Sequence, residues 1–332
     1  MTPARLTEIV SRFSSARILV VGDIMLDEFI WGKVSRISPE APVPVVEVVR
    51  EEYFPGGAAN VARNLAEFTK GAAVLGAIGE DLHAERLKTL LREEGVQLDA
   101  LIQDAAFSTI VKTRIIARQQ HVVRIDRERR LTLTAQQSAR ALARLEALLP
   151  QLDAIVIEDY GKGLLTQDFA TQLCTLANRA GKILAVDPNP HNPLRWERVT
   201  VIKPNRVEAF ASAGVLPSEP IDPPTADSAL VAVGQTLSQR WPFDQLLITL
   251  GEQGMILFQK DTAPYHAPTR ALKVFDVSGA GDTVIALYTL ALCAGATPPE
   301  AAEIANHASG VVVGKLGTAT CTPAELLASF DS

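Results

Sequence analysis

The sequence predicts an α/β fold built on a doubly wound, mainly parallel β-sheet with helices on both faces. Short, continuously apolar runs recur along the chain, as expected of parallel strands that are buried on both faces. Helix-like stretches separate several of these runs, and this alternation is typical of βαβ units. The composition agrees, because 332 residues with 47% hydrophobic and 21% charged side chains can bury a sizeable core.

The predicted elements follow one another in a regular order. An amphipathic helix comes first, because Leu6, Ile9, Val10 and Phe13 recur at helical spacing among charged residues. The first strand spans residues 17–22, which read RILVVG. Further strands are predicted at residues 73–77, 154–157, 183–186, 199–202 and 246–249. Helices are predicted at residues 57–68, 82–94, 135–149, 167–180, 226–240 and 283–293.

Two segments break this alternation. Residues 29–49 are rich in proline and valine, and residues 108–126 read as two strands, 109–117 and 121–125, joined by a tight turn. Together they predict a small antiparallel sheet inserted into the α/β body. Such a sheet is suited to act as a lid over the carboxyl ends of the main strands, where ligands of α/β proteins bind. The alternative is an ordinary surface hairpin.

Bulk properties exclude several classes of protein. A net charge of −6 provides no broad positive field for nucleic acid or an anionic membrane. Cys174, Cys293 and Cys321 lie far apart, which indicates neither a metal site nor a disulfide framework and fits a reducing cytoplasm. The longest apolar stretch, residues 284–294, is too short to cross a bilayer. We expect a cytoplasmic protein.

Residues 276–283, which read DVSGAGDT, carry the most informative pattern. Gly279 and Gly281 allow a sharp turn that aims consecutive N–H groups at one point, and the predicted helix that follows directs its positive dipole end there. A phosphate is the expected guest of such a cradle. Asp282 is then within reach of a hydroxyl that approaches the phosphate, which is where a phosphotransferase needs a general base. Glycine-rich turns before helices are also common without any ligand.

Polar residues follow other predicted strands. Asp23 and Asp27 come directly after the first strand and are suited to accept hydrogen bonds from sugar hydroxyls, although Asp23 alone is also typical of a turn cap. Gly56 and Gly57 permit close backbone approach at a predicted helix start, where Asn60 can donate and accept.

A second pair of polar residues follows the strand at 199–202. Asn205 and Glu208 are spaced to share a helix face and to hold Mg²⁺ through water beside a triphosphate. The alternative is a helix N-cap with a capping box.

These motifs, in this order and spacing, resemble the ribokinase-like (PfkB) family of carbohydrate kinases over nearly the whole chain. Within that family, four segments are similar to the heptose 7-phosphate kinases of lipopolysaccharide-core synthesis, which phosphorylate the anomeric hydroxyl of D-glycero-D-manno-heptose 7-phosphate. These segments are SRISPEAPVPV at residues 35–45, IARQQ at 116–120, residues 275–283, and VVVGKLGTAT at 311–320. The resemblance implies an ATP-dependent sugar kinase with a ribokinase-like fold and a β lid.

The resemblance also implies roles for individual residues. Asp282 would be the base, and the N–H groups of Gly279, Ala280 and Gly281 would form the anion hole. ATP and Mg²⁺ would be served by Asn205, Glu208, Thr249, Gly251, Gly254 and Ser278, with Mg²⁺ held by Glu208 through water. The sugar would be held by Asp23, Asp27, Gly56, Gly57, Asn60 and Asp187. A monovalent cation is a further possibility in this family.

A phosphorylated sugar also needs cationic partners. The candidates are Lys112, Arg114, Arg118, Arg124 and Lys162. Lys112 and Arg114 share one face of a predicted strand, and arginine can bind phosphate bidentately. The alternative for each is a solvated lid surface.

Two departures from the heptose kinases leave the sugar open. Residues 189–191 read NPH where many heptose kinases have a lysine and a glycine, and residues 249–254 read TLGEQG, as in general PfkB kinases. The alternatives are a PfkB kinase for another sugar or sugar phosphate, such as a fructose phosphate, and a non-catalytic nucleotide- or sugar-binding regulator. A dinucleotide-dependent oxidoreductase is disfavoured because residues 22–27 do not read GxGxxG.

We predict a single kinase domain over residues 1–332, with lid insertions at about 28–50 and 107–127. The exposed edges of a small lid sheet favour pairing of two subunits, so a homodimer through the lid is expected. In some heptose enzymes a nucleotidyltransferase domain follows the kinase. This sequence stops at Ser332, and we therefore expect the kinase step alone, with a separate protein for nucleotidyl transfer.

Overall fold

A computed structural model describes residues 1–117, 120–130, 133–270 and 274–331. Its strands are β1 Arg17–Gly22, β2 Ile24–Ile37, β3 Pro44–Gly57, β4 Gly71–Leu75, β5 Ala77–Ile78, β6 Ile102–Gln103, β7 Ile110–Ala117, β8 Gln120–Arg127, β9 Ala154–Glu158, β10 Ile183–Asp187, β11 Val199–Ile202, β12 Phe243–Thr249, β13 Met255–Gln259 and β14 Tyr265–Ala267. Its α-helices are α1 Pro3–Ser11, α2 Ala58–Ala66, α3 Leu82–Glu93, α4 Ala135–Leu148, α5 Gln167–Arg179, α6 Arg206–Ala213, α7 Ser228–Arg240, α8 Ala280–Cys293, α9 Pro298–Val313 and α10 Pro323–Ser329.

The main sheet confirms the predicted architecture. Its strand order is β14-β13-β12-β11-β10-β9-β1-β4, and neighbouring strands are parallel from β12 to β4. Among the described residues, the antiparallel pairs of this sheet are β12–β13 and β13–β14, at one edge. Because both faces of the strand are covered, β1 is apolar after Arg17: Ile18 and Val20 belong to one hydrophobic core, and Leu19 and Val21 to the other.

The predicted helices form at nearly the predicted bounds, and local sequence explains their starts. Thr134 caps α4 and Thr297 caps α9, each in a capping box with a glutamine or glutamate three residues later. The helix predicted at 57–68 begins at Ala58, because Gly57 has φ +60° and ends strand β3. None of the helices within the described ranges has the length and apolarity needed to cross a bilayer.

A second sheet, which we call the lid sheet, has the strand order β3-β2-β7-β8. The prediction of an antiparallel sheet is wrong for its central pair: β2 and β7 are parallel, whereas β2–β3 and β7–β8 are antiparallel. The lid sheet consists of two antiparallel hairpins, β2–β3 and β7–β8. They meet along β2 and β7, and these two strands run in the same direction. The first hairpin is also longer than the apolar pattern indicates, since its ladder runs from Ile24 opposite Gly57 to Ile37 opposite Pro44.

Candidate active site

Helix α8 begins at the glycine-rich turn, and its first residues form the predicted cradle. Gly279 is the N-cap with φ +78°, and a Cβ there would lie 2.8 Å from Nδ2 of Asn60. Only glycine fits this position without strain. The Ala280 N–H already donates to the Val277 carbonyl at 3.2 Å, so the anion hole predicted from three N–H groups is reduced. The N–H groups of Gly279 and Gly281 have no acceptor among the described residues.

Asp282 lies in the first turn of α8 and is 7% exposed. Asn60 donates from Nδ2 to one carboxylate oxygen at 2.7 Å, and the Tyr160 hydroxyl donates to the other at 2.9 Å. Burial raises the pKa of Asp282, although both hydrogen bonds oppose the shift. A carboxyl with a raised pKa is a stronger proton acceptor at neutral pH once it is ionised.

Two members of this arrangement were missed at the sequence level. Tyr160 follows β9 in the string EDYGKG, just as Asp23 follows β1, and this position after a buried strand was a usable signal. Lys203 follows β11 directly, before Asn205, and its Nζ pairs with the Asp187 carboxylate at 2.7 Å. A Cβ placed on Gly281 would lie 3.3 Å from that Nζ, so the ammonium is beside the cradle.

Lys203 is surrounded by carboxyl groups. Burial raises the pKa of Asp187 to about 7, and burial together with Asp187 raises the pKa of Glu158 well above its ordinary value. Glu158 is 1% exposed, and its Oε1 has no hydrogen-bond partner among the described residues. Burial alone would lower the pKa of Lys203, but Asp187 and Glu158 together raise it. The cluster therefore keeps a protonated lysine next to the cradle.

Asn205 and Glu208 form the capping box that was the alternative to a metal role. Asn205 Oδ1 accepts the Glu208 N–H at 2.9 Å, and Glu208 accepts the Asn205 N–H at 2.8 Å. Their role toward Mg²⁺ stays a prediction. Both residues line an open cleft of about 580 Å³ together with Tyr160, Asp187, Lys203, Gly279, Gly281 and Asp282.

An apolar cavity of about 520 Å³ adjoins this cleft, and the two share Thr249, Gly251, Val277 and Gly281. Met255, Val284 and Val313 provide apolar walls, and Gly254 also lines it. Ser278, predicted to bind the nucleotide, is not part of either lining; its N–H donates to Asp276 at 2.9 Å. The size and apolar walls fit a flat ring system whose charged tail extends into the cleft.

Of the residues predicted to hold the sugar, Asp23 follows β1, Asp27 lies in β2, Gly56 and Gly57 end β3, and Asn60 lies in α2, whereas Asp187 ends β10 and pairs with Lys203. Asp23 accepts hydrogen bonds from the N–H groups of Tyr160, Lys162 and Leu164 at 2.9–3.3 Å, so it does cap a turn, as its alternative reading stated. Asp27 is 5% exposed and pairs with Arg114. A Cβ on Gly56 would collide with the Asp27 carboxylate, and one on Gly57 would lie 2.5 Å from the Asp23 carbonyl oxygen.

The cations predicted to bind a substrate phosphate are all paired with carboxylates where the structure describes them. Lys112 contacts Asp126 and Glu128 at 3.2 Å each, and Lys162 contacts Glu128 at 2.8 Å. Arg124 pairs with Asp126 at 2.9 Å, and Arg114 with Asp27. Arg118 lies outside the described residues. Phosphate binding stays a prediction for these cations.

Residues 15–325 match the family described as pfkB family carbohydrate kinase. The chain is 41% identical over 319 residues to a bifunctional protein HldE of Pelobacter propionicus and 44% identical over 315 residues to one of Caulobacter sp.. These alignments cover 96% and 95% of this chain but only 64% and 63% of the relatives. The chain therefore spans about two thirds, at most, of the length of these relatives.

Solved structures are similar in fold. Arabidopsis thaliana ribokinase complexed with ribose and ATP superposes with a TM-score of 0.71 at 17% identity, covering 96% of this chain and 99% of that one. Phosphofructokinase-2 from Escherichia coli in complex with substrates and products gives a TM-score of 0.75 at 20% identity, covering 95% and 98%.

Proposed function

Because the chain belongs to the pfkB family of carbohydrate kinases, we propose that it transfers the γ-phosphoryl group of ATP to the anomeric hydroxyl of D-glycero-D-manno-heptose 7-phosphate. The products are the 1,7-bisphosphate and ADP, in the synthesis of ADP-heptose for the lipopolysaccharide core. The sequence segments at residues 35–45, 116–120, 275–283 and 311–320 support this sugar. The identity of 40–44% to proteins named HldE over most of this chain agrees with it.

The position of Asp282 carries the proposal. Its carboxylate is fixed by Asn60 and Tyr160 at the start of α8, next to the free N–H groups of Gly279 and Gly281. Asp282 takes the proton of the sugar hydroxyl as that oxygen bonds to phosphorus and the bond to the β-phosphate oxygen breaks. The N–H groups and the Lys203 ammonium stabilise the charge on the transferring group. Such fixed dipoles and charges supply most of the acceleration.

The residues present fit a magnesium-bound nucleotide. The apolar cavity around Met255, Val284 and Val313 is suited to adenine, and the adjoining cleft leads to the cradle. When bound, Mg²⁺ offsets negative charge on the phosphates. No cluster of three or more His, Cys, Asp or Glu side chains in the described part of the chain has the arrangement of a metal site. Glu208 would therefore hold the ion through water, with phosphate oxygens as its main ligands.

On the sugar side, Asp27, Asn60 and the backbone at Gly56 and Gly57 are proposed to bind hydroxyl groups. Asn60 supports this because its Oδ1 is buried without a hydrogen-bond partner among the described residues. The lid sheet and the body are proposed to form one domain. The lid sheet is proposed to close over the sugar and to exclude water that competes as phosphoryl acceptor. The insertions at about 28–50 and 107–127 supply this lid.

A homodimer through the lid sheet is part of the proposal. The edge strands of that sheet, β3 and β8, carry exposed apolar residues: Val48, Val49, Val122, Val123 and Ile125. Pairing with a second copy would cover them. A monomer by light scattering at micromolar concentration contradicts this part. The product is proposed to pass to a nucleotidyltransferase, and the site of action is proposed to be the cytoplasm.

The test is a coupled assay of ADP release with a panel of acceptors. Heptose 7-phosphate is expected to give the highest kcat/KM, above fructose 6-phosphate, ribose and unphosphorylated heptose. A higher kcat/KM with another sugar replaces the heptose assignment and keeps the kinase. ATP and sugar binding without ADP release for any acceptor leaves the non-catalytic regulator as the better explanation.

A further inference from the structure

A separate cavity of about 350 Å³ has Asp23 in its wall and shares no lining residue with the cleft. It is bounded by the first residue of β2, by residues 106–108 before β7, and by the start of α4. Its polar lining consists of Asp23, Ser108, Arg129, Arg130, Thr134 and Gln137. None of these residues except Asp23 takes part in the proposed function above.

Arg129 and Arg130 differ from the cations of the lid sheet. Neither guanidinium forms a hydrogen bond or ion pair within the described ranges, whereas Lys112, Arg124 and Lys162 are each paired with Asp126 or Glu128. Arg129 and Arg130 are exposed and line this cavity, so their planar guanidinium donors are available to a ligand bound there.

The carboxylates near this cavity are already bound. Asp23 accepts three backbone N–H groups. Asp104 accepts from the Gln137 side chain at 2.6 Å and from the Ala106 N–H at 2.9 Å. Asp159 accepts from Gly161 and Asn192; burial raises the pKa of this carboxyl to about 6, and the charge of Arg130 opposes the shift without a direct contact. The two arginines therefore keep their hydrogen-bonding capacity for a ligand.

The start of α4 adds a second source of positive potential. The helix runs for 14 residues from its N-cap Thr134, and Thr134 and Gln137 of its first turn line the cavity. The dipole of such a helix favours an anion at its N-terminus. Together with two free guanidinium groups, this arrangement suits a phosphomonoester, which arginine binds through paired charge-assisted hydrogen bonds.

Tyr160 links Asp23, in the wall of this cavity, to Asp282 at the cradle. The Tyr160 N–H donates to Asp23 at 3.2 Å, and the Tyr160 hydroxyl donates to Asp282 at 2.9 Å. A sugar that lies along Tyr160 can therefore place its acceptor hydroxyl at Asp282 and its far end in the cavity. A sugar ring with a phosphate on the carbon chain opposite the acceptor has this shape.

We propose that this cavity binds the phosphate that the sugar substrate already carries, and that Arg129 and Arg130 determine the preference for a phosphorylated sugar. The inference rests on the proposed function and names the residues that recognise the substrate class. It replaces Lys112, Arg124 and Lys162 as the main phosphate ligands, because their charges are already neutralised.

The test compares wild type with an Arg129→Met/Arg130→Met variant, using heptose 7-phosphate and heptose without phosphate. The variant is expected to lower kcat/KM for the phosphorylated sugar by about 10²-fold, mainly through KM, the loss expected for two charge-assisted contacts. Its kcat/KM for unphosphorylated heptose should not change. Arg124→Met is the matched lid variant and should alter either value by less than about threefold. Equal losses on both sugars, no loss on either, or a larger loss at Arg124 overturns the inference.

Failure of the proposed function gives a different pattern. If wild type prefers another sugar, the same comparison uses the phosphorylated and unphosphorylated forms of that sugar. A phosphate preference that the double variant abolishes then supports the cavity although the heptose assignment falls. A wild type without phosphate preference overturns the cavity assignment while the kinase stands. Calorimetric titration with heptose 7-phosphate in the absence of ATP needs no turnover, and equal affinity of wild type and double variant also overturns it.

Discussion

The buried polar cluster around Asp282 (Asn60, Glu158, Tyr160, Asp187 and Lys203) and the lid sheet are both rich in polar residues, but they use them differently. In the cluster Lys203 is 4% exposed and Asp282 7%. Lys203 pairs with Asp187, and Asp282 accepts a hydrogen bond from Asn60. In the lid sheet most ion pairs are partly exposed, as in the pair of Arg124 with Asp126. Charges interact strongly in a buried site and weakly where water and salt screen them. We therefore propose that the cluster determines the reaction, whereas substitutions in the lid sheet alter the preference for a sugar without abolishing the reaction.

The largest effect is expected at Asp282. Asp282→Asn keeps the shape of the side chain but removes the proton acceptor, so kcat should fall by about 10² or more. ATP affinity should change little, because the role proposed for Asp282 is toward the sugar hydroxyl. Single-turnover kinetics and ATP titration measure the two quantities separately, and near-normal turnover in a folded variant removes Asp282 from its role as base.

Lys203→Met should have the second-largest effect. It removes the ammonium beside Gly281 and is expected to lower kcat by about 10²-fold, as for loss of a group that stabilises transition-state charge. The lid counterpart is Arg50→Met, because Arg50 pairs with Glu52 at 3.5 Å and its side chain is 57% exposed. That variant should keep kcat within about threefold. Similar losses in both variants would abolish the contrast between cluster and lid.

Tyr160→Phe should give a smaller change with a defined sign. The Tyr160 hydroxyl stabilises ionised Asp282, and its loss raises the pKa of Asp282 further. Because the ionised form is active, the acid limb of the kcat/KM profile should move to higher pH, with about a tenfold loss of kcat. A profile that keeps its acid limb while activity falls would assign Tyr160 a purely structural role. Because Tyr160 hydrogen-bonds both Asp23 and Asp282, the melting temperature of the variant is measured as a control for stability.

The sequence predicted the main sheet well because its signals are local. The run RILVVG and the turn GAGD encode buried strands and a helix start within a few residues. The contacts that complete the site join distant positions: Asn60 and Asp282 are 222 residues apart, and Tyr160 and Asp282 are 122 apart. Which carboxylate pairs with which lysine or arginine likewise cannot be predicted from a single sequence. Lys112 and Lys162 looked available for phosphate, and only the fold brings Glu128 between them.

Asp23 is the single residue between strand β1 of the main sheet and strand β2 of the lid sheet. Its N–H donates to the Glu158 carbonyl, its carbonyl accepts from the Ala58 N–H, and its carboxylate holds residues 160–164. The joint between the two sheets is therefore fixed by hydrogen bonds of the Asp23 backbone and side chain. We expect any bending of the lid sheet in the strands beyond this joint, where the β2–β3 ladder shifts register at Trp31/Gly32 and at Val34/Arg36. Flexing is therefore expected at the tip of the first hairpin, away from Asp23 and the residues proposed to bind the sugar.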